Sequence, residues 1–599
     1  MKTPQYEDYN AKLAVPDRLF TPLHGVRLTG GLFRRVFTNN VGFLNRLEMD
    51  RMRYWFDVKL GRKPTAERYP GHFEDNLKGQ TASQYLMGAG NALRWEEIPA
   101  LRRGLEEILD FLEKSAEDDG FLMPIDKTRF AYREYPHYVR IWLTYGLIAA
   151  ARAGDPRALP LLRRWQDWFN HCPDLPVIKY LELAFQGVVA SPAVYLTEVG
   201  RKEDADVSRE AYEEPWRLAQ FIGMEEDAVH VRRQHGKEPH THGSEIEAFE
   251  GYLDMYRIYG APYFLNAVMN FRTMYRDHWQ HVGGGIVMIE TLNNGNPLAP
   301  DCNYFLREHG GKESTYNELC CTSFWLHLHQ RLHRMFPDVE EYVFEMEESL
   351  YNVAIANQNG SADIRYCAYL DGEKQLPVRL NHCCAGVGTR IFGSLPEYLF
   401  TLNRDTLSCD IYAAARLDWE TEVQTVTVTE ETDFPQDGAV TLRFDMEKSQ
   451  EFTLRIRIPR YAAGPVPVLL GGVETAVGEP GTYLVLTREW KDGDTVSFRL
   501  ELAWQAHLYH GVDETPGYDR YAYTYGPLLM AVTGERNHTL GVVLSGDGRE
   551  LPSKLRPEGK PLCWVPEDDP ERKVVPYYAI QTERFTVFPM FRKPGAEEE

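Results

Sequence analysis

Cysteine is scarce in this 599-residue chain: there are 9, and no two of them stand in a Cys-x-x-Cys spacing. The odd count excludes a complete disulfide framework. The missing spacing excludes the commonest zinc-finger and ribbon sites. Positive charge is also in short supply, with 66 Lys and Arg against 88 Asp and Glu and a formal net charge of −22. That balance argues against nucleic acid or an anionic membrane as the main partner, because both require a basic face. No apolar run of about eighteen residues occurs, so no membrane-spanning helix is expected. The opening MKTPQYEDYN lacks the apolar stretch of a secretory signal. Cytoplasmic residence is therefore the expectation, in a reducing compartment that keeps thiols free. Neither an internal repeat nor a low-complexity tract stands out.

What the chain does contain is enough apolar sequence for a large core, at 43% hydrophobic residues, and a length suited to roughly three or four domains. Its 12 Trp and 34 Tyr would suit sugar stacking and equally a packed interior. The two halves differ in period. From about residue 40 to 400 the apolar residues keep helical spacing, as in Phe324, Leu328, Leu332 and Met335, or Val343, Met346, Leu350 and Val353. HYVRIWLTYGLIAAARAG (137–154) and FEGYLDMYRIYG (249–260) read as nearly all-round apolar helices stopped by Gly154 and Gly260. Each is followed within a few residues by a further helical segment, and such repeated hairpins suit an α/α toroid better than a four-helix bundle. Beyond about residue 400 the period is two: Val440, Leu442, Phe444; Phe452, Leu454, Ile456, Ile458; Val496, Phe498, Leu500, with PQDG and KDGD as turns. The second half therefore reads as half-buried antiparallel sheet in one or two β-sandwiches. The expected division is an N-terminal segment 1–20, a helical domain 21–400, a first β domain 401–505 and a second 506–599.

Two of the cysteine pairs are adjacent, in ESTYNELCC (313–321) and NHCC (381–384). Neighbouring cysteines bridge each other only through a strained ring, so packing, metal or chemistry must explain them. Glu318 and Cys320 are two residues apart where the helix carrying Phe324 should begin, and such a pair converges from an extended or first-turn backbone. One carboxylate and three thiolates make a plausible tetrahedral Zn²⁺ set, thiolates favouring zinc over magnesium or calcium. The alternative on spacing alone is free, buried cysteines.

YNELC and NHCC resemble the metal motifs of the β-L-arabinofuranosidases, glycoside hydrolase family 127 and its relative family 146. VRLTGGLFRR (26–35), DGFLMPI (119–125), HTHGSEI (240–246) and RIFGSLPEYLF (390–400) fall in the same order as in that family. The resemblance implies an (α/α)6 barrel followed by β-sandwich domains. It implies Zn²⁺ held by Glu318, Cys320, Cys383 and Cys384, with Cys383 as nucleophile of a retaining exo-glycosidase that takes β-L-arabinofuranose or a related furanosyl sugar from plant-type glycans. It also implies a general acid upstream of Glu318. REHG offers Glu308, with Glu313 and Glu290 as alternatives; Gly310 stands where the family has an aromatic residue, and A-G-V follows the cysteines in place of P-P-N. His240, His242, Tyr366 and His137 are candidates for sugar contact, each with a loop, core or capping role as the alternative. Cys321 is expected as a buried helix residue above Trp325, and Cys172, Cys302, Cys367, Cys409 and Cys563 as structural. The expected partner is an oligosaccharide or glycoside, and the expected assembly a monomer or homodimer. Rival readings are the same machinery acting on another deoxy or branched sugar, a non-catalytic carbohydrate-binding homologue, and a toroidal polysaccharide lyase working through His240 and a tyrosine without zinc.

Overall fold

The computed structural model describes residues 13–127, 134–171, 243–278, 280–286, 308–309, 312–313, 316–374, 376, 379–509, 516–539 and 541–595. A short strand β1 (Val26–Leu28) leads into α1 (Gly31–Asn45), followed by α2 (Gln80–Leu93), α3 (Pro99–Ser115), α4 (Glu134–Arg152) and α5 (Ala158–Asn170). Then come α6 (Gly243–Tyr259), α7 (Pro262–His278), strand β2 (Tyr316–Glu318), α8 (Leu319–Met335), α9 (Glu340–Ser349), strand β3 (Cys367–Tyr369) and α10 (Cys383–Gly393). Gly154 and Gly260 stand just past α4 and α6 with φ of 88° and 67°, the left-handed backbone at which a helix stops. The 343–353 stretch is not one α-helix: α9 ends at Ser349 and a π-helical turn, Leu350–Ile355, continues it.

The helices pair in sequence, α2 with α3, α4 with α5, α6 with α7 and α8 with α9. Within a pair the burial differs. Every residue of α2 and α8 is buried, whereas α3 buries only one stripe, including Leu101, Leu105, Ile108 and Leu112. The second kind has a solvent face and the first does not. The fully buried α2 and α8 lie in a run of neighbouring helices, α4–α2–α10–α8–α6. Close approach depends on small residues: a Cβ at Gly90 would sit 2.6 Å from the Ala149 carbonyl carbon, and one at Gly146 2.7 Å from the Ser83 oxygen.

After residue 400 the described structure is mostly strand, as the period of two requires, with short 3-10 turns at Gly548–Lys554 and Tyr577–Ala579. The strands are β4 (Phe400–Leu402), β5 (Thr406–Cys409), β6 (Ala415–Glu420), β7 (Thr425–Thr432), β8 (Ala439–Asp445), β9 (Gln450–Ile458), β10 (Val466–Leu470), β11 (Val473–Gly478), β12 (Thr482–Trp490) and β13 (Thr495–Arg499). One sheet runs β1-β6-β7-β8-β13-β10-β11 and another β12-β9-β5-β4. Phe444 of the first meets Phe452 and Trp490 of the second at ring-centroid distances of 5.7 and 4.9 Å. A third sheet follows, containing β14 (Trp504–Leu508), β15 (Tyr518–Tyr525) and β16 (Leu528–Thr533). Two features depart from the sequence reading. Pairing is not wholly antiparallel: β5 runs parallel to β9, Thr406 opposite Thr453, and Val543–Leu544 runs parallel to Met590–Phe591. The N-terminal β1 belongs to the β half, with Val26 opposite Leu417. The halves are also locked by charge, since Arg457 of β9 reaches Glu340 at 2.7 Å and Glu347 at 2.9 Å, all fully buried.

Candidate active site and metal centre

The NELCC stretch folds as its spacing predicts. β2 ends at Glu318, which keeps an extended backbone (φ −82°, ψ 134°) while α8 starts at Leu319. The carboxylate therefore projects from the strand end and Cys320 from the first helical turn, toward one point. The NHCC pair reaches that point at the start of α10. His382, extended at φ −140°, caps the helix: its Nδ1 accepts from the Ala385 N–H at 3.1 Å, and its Nε2 donates to the Ile364 carbonyl at 3.1 Å. Those two bonds fix one neutral tautomer. Burial pushes the imidazole pKa down, in keeping with that neutral form. Cys383 and Cys384 are thereby the first two helical residues, near the free N–H groups and positive pole of α10.

The four ligand atoms lie within 4.8 Å of one another. Cys320 Sγ is 3.1 Å from Cys384 Sγ, Cys384 Sγ 3.9 Å from Cys383 Sγ, and Cys384 Sγ 3.5 Å from a Glu318 oxygen. A tetrahedral zinc with S–Zn bonds near ~2.3 Å sets ligand edges of about 3.3–3.8 Å, so the set has the size and chemistry such an ion takes. Glu318 and Cys384 are fully buried, Cys320 is 3% exposed and Cys383, the most open, 5%. Burial raises the Cys320 and Cys384 thiols well above their ordinary range. It works the same way on Cys383, but hydrogen bonds from Cys320, Cys384 and Tyr366 outweigh it and hold that thiol well below its usual value. Four acidic groups in one dry pocket are costly unless a cation joins them. The residues fit a thiophilic dication.

Family models decide the wider assignment. One described as the β-L-arabinofuranosidase GH127 catalytic domain matches residues 25–397, and one described as the GH127 middle domain matches residues 406–502. The chain belongs to glycoside hydrolase family 127. It is a glycoside hydrolase. Solved structures share its fold: a GH127 β-L-arabinofuranosidase from Geobacillus stearothermophilus T6 superposes with a TM-score of 0.69 at 17% identity, covering 95% of this chain and 100% of that one. A GH127 β-arabinofuranosidase gives 0.72 at 17% identity over 96% and 98%, and a protein described only as a glycoside hydrolase gives 0.67 at 15% over 98% of each. No curated protein sequence matches the chain.

The remaining candidates of this GH127 chain fare unevenly. Tyr366 does reach the site: it hydrogen-bonds Cys383, and its ring lies 5.5 Å from that of His382. It is half-buried, as a residue at a pocket wall would be. Glu308 stands in a two-residue strand opposite Glu313, so the two carboxylate candidates are register partners. His137 lies in the first turn of α4. His240, His242, Glu290, Cys172 and Cys302 lie outside the described residues. Cys321 is fully buried and not a member of the four-ligand set; its Sγ donates to a Glu318 oxygen at 3.0 Å, which steadies the carboxylate. Cys409 and Cys563 are buried away from the cluster.

Sequence reading missed the partners that α2 supplies. Gln84 donates to the Cys383 carbonyl oxygen at 3.3 Å across 299 residues of chain, and a Cβ at Gly386 would sit 2.1 Å from the Gln84 amide carbon. Only the fold joins them. The His382 cap was equally hidden, because histidine is not among the preferred N-cap residues.

Proposed function

We propose that this chain is a retaining exo-β-L-arabinofuranosidase that releases β-L-arabinofuranose, or a related furanosyl sugar, from plant-type glycans. The observation that carries the reading is the convergence of Glu318, Cys320, Cys383 and Cys384 at the N-termini of two helices of a GH127 chain. Cys383 is the nucleophile: it is the most open thiol of the set, and the hydrogen bonds around it favour its ionised form. Its sulfur attacks the anomeric carbon, and the glycosidic C–O bond breaks as a thioglycosyl bond forms, in the manner that a carboxylate serves other retaining enzymes. Glu308 gives its proton to the leaving oxygen, then takes one from the water that hydrolyses the sulfur-bound sugar. Glu318, Cys320, Cys383 and Cys384 would hold Zn²⁺, whose charge favours the ionised thiolates at neutral pH. Tyr366, His137, His240 and His242 are assigned to the sugar's surroundings.

The reading includes an (α/α)6 barrel over residues 21–400, after a segment 1–20, then β-sandwich domains over 401–505 and 506–599. The run of neighbouring helices α4–α2–α10–α8–α6, each carrying a partner or lying between such helices, supports this reading, as a barrel needs an inner ring. Three reduced thiols suit a reducing compartment, and hence a cytoplasmic enzyme. The deciding experiment is a panel of chromogenic glycosides, assayed before and after chelation and zinc restoration. Turnover of the β-L-arabinofuranoside that chelation abolishes and zinc restores is expected. Turnover of a different sugar alone would overturn the substrate, and full activity in demonstrably metal-free protein would overturn the zinc.

A further inference from the structure

Gln80, the first residue of α2, is 1% exposed, and neither its Oε1 nor its Nε2 has a hydrogen-bond partner in the protein. Buried side-chain amides without partners are uncommon because each unmet group costs about 1–3 kcal/mol. The position of this one can be deduced from helix packing. α2 and α10 run parallel: Gln84 meets Gly386, Gly88 meets Thr389, and Ala92 meets Gly393. Residues 84, 88 and 92 form one four-spaced row of α2 facing α10. Gln80 continues that row one turn toward the N-terminus, about 5–6 Å beyond Gln84. Carried one turn back along α10, the same register reaches His382 and Cys383. The orphan amide is therefore level with the sulfur that the proposed mechanism brings to the anomeric carbon.

A second orphan precedes Cys383 in the chain. Asn381, two residues before Cys383 and 4% exposed, donates its Nδ2 to the Pro70 carbonyl at 3.4 Å, while its Oδ1 has no partner. Between Pro70 and Gln80 the chain also buries Glu74, whose Oε1 accepts the Thr81 N–H at 3.3 Å and whose pKa burial raises to about 7. This carboxyl braces the turn that presents Gln80. A donor and an acceptor in one amide, with the Asn381 oxygen as a further acceptor, match the vicinal hydroxyls of a sugar, each of which both donates and accepts.

We infer that Gln80 is a substrate-positioning residue, its side-chain amide hydrogen-bonding a ring hydroxyl of the sugar whose anomeric carbon faces Cys383. This rests on the proposed function for the sulfur's role, but the amide's assignment is separately testable. Gln80→Met keeps the volume and removes both polar atoms; Gln80→Glu keeps the shape and one acceptor. The substrates are the chromogenic furanoside turned over by the wild type and its 2-deoxy and 3-deoxy analogues. If the wild type acts on another glycoside of the panel, that glycoside and its deoxy analogues take their place, so a wrong sugar and a wrong role for Gln80 give different results.

For one of the two hydroxyls, the wild type should lose roughly 10–100-fold in kcat/KM on deoxygenation. Gln80→Met should lose about as much on the parent substrate yet become indifferent to that deoxygenation, while Gln80→Glu keeps part of the discrimination. Zinc content should not change, and the melting midpoint of Gln80→Met should equal or exceed that of the wild type, since no protein partner is lost. Parent kcat/KM within about two-fold of wild type in both variants would overturn the inference, as would deoxy penalties in either variant equal to those of the wild type. A wild type that turns over no glycoside would overturn it together with the proposed function.

Discussion

The two ends of the buried helices carry opposite chemistry. At the N-termini of α8 and α10 stand Glu318 and three thiols, which hydrogen-bond among themselves and to Tyr366 and Cys321. At the C-terminal ends of α2, α4, α6, α8 and α10 stand arginines: Arg94, Arg152, Arg257, Arg331 with Arg334, and Arg390. Carboxylates answer them there. Arg331 meets Glu250 at 2.5 Å and Asp254 at 3.3 Å, Arg257 meets Asp17 at 2.8 Å, Arg334 also meets Asp17, and Arg94 meets Glu397. A cavity of about 40 Å³ lies among Arg152, Arg331, Arg334, Arg390 and Glu397. The helix macrodipole orders both ends, favouring anions at one pole and cations at the other. The difference is in what is left over. The arginine pole pairs its charges within the chain and is scaffold. The thiol pole gathers acidic groups with no cationic side chain among its ligands, and that surplus of acid is what a metal and a reaction can use.

The largest effect expected at the thiol pole follows Cys383→Ser. A serine hydroxyl stays protonated near neutrality, so turnover should fall by about four orders of magnitude or more, on the scale of other lost nucleophiles. Brief exposure of the wild type to an activated substrate should leave the sugar on Cys383, as read by peptide mass spectrometry; a label on a carboxylate would break the proposed division of labour. Glu318→Gln comes next, removing one ligand charge and turning one of the two carboxylate oxygens into an amide donor. Zinc that survives dialysis in the wild type should be lost from this variant, as measured by elemental analysis, and activity with it.

At the arginine pole the effects should fall on stability instead. Arg331→Met leaves Glu250 and Asp254 buried with less countercharge and should cost about 3–5 kcal/mol in denaturant unfolding. Zinc per folded chain should be unchanged, because the substitution lies about three turns of α8 from Cys320. Equal loss of metal and stability would erase the distinction between the poles.

The smallest effect concerns pH. Burial raises the Asp17 pKa to about 6, against an unfolded value of 3.8, despite Arg257 and Arg331 nearby. The folded state then holds the proton longer, so this carboxyl's contribution to stability is complete below about pH 4 and is lost as pH rises through about 6. Asp17→Asn should remove that dependence. Its stability relative to wild type should improve by about 3 kcal/mol between pH 4 and pH 7, as read from unfolding midpoints at each pH.

Much of this was legible along the chain. The change from helical period to a period of two falls near residue 400, and the buried faces of β8 and β13 are the alternating residues themselves, while β9 buries Arg455 and Arg457 on its other face as well. Gly154 and Gly260 stop their helices as their chemistry demands. The four ligand candidates were readable because adjacent cysteines are hard to explain otherwise and because Glu318 and Cys320 straddle a helix start. Less was legible where partners are distant. VRLTGGLFRR resembles the family's opening strand, but nothing near it says that this strand pairs with Leu417, and the parallel β5–β9 pair needs a crossover that local periodicity does not encode. Cys321 looked like packing, and only the bend from β2 into α8 turns its sulfur toward Glu318.

The sequence by itself determined the two halves, the chemistry of the thiol set and the family, since periodicity, residue type and motif order are properties of the chain read in one dimension. Tertiary structure decided what surrounds Cys383. The parallel packing of α2 on α10 puts Gln84 on the Cys383 carbonyl and Gln80 one turn beyond it, although some 300 residues separate them. No local rule carries that information, because it resides in glycines small enough to let two helices touch and in the register that the contact then fixes.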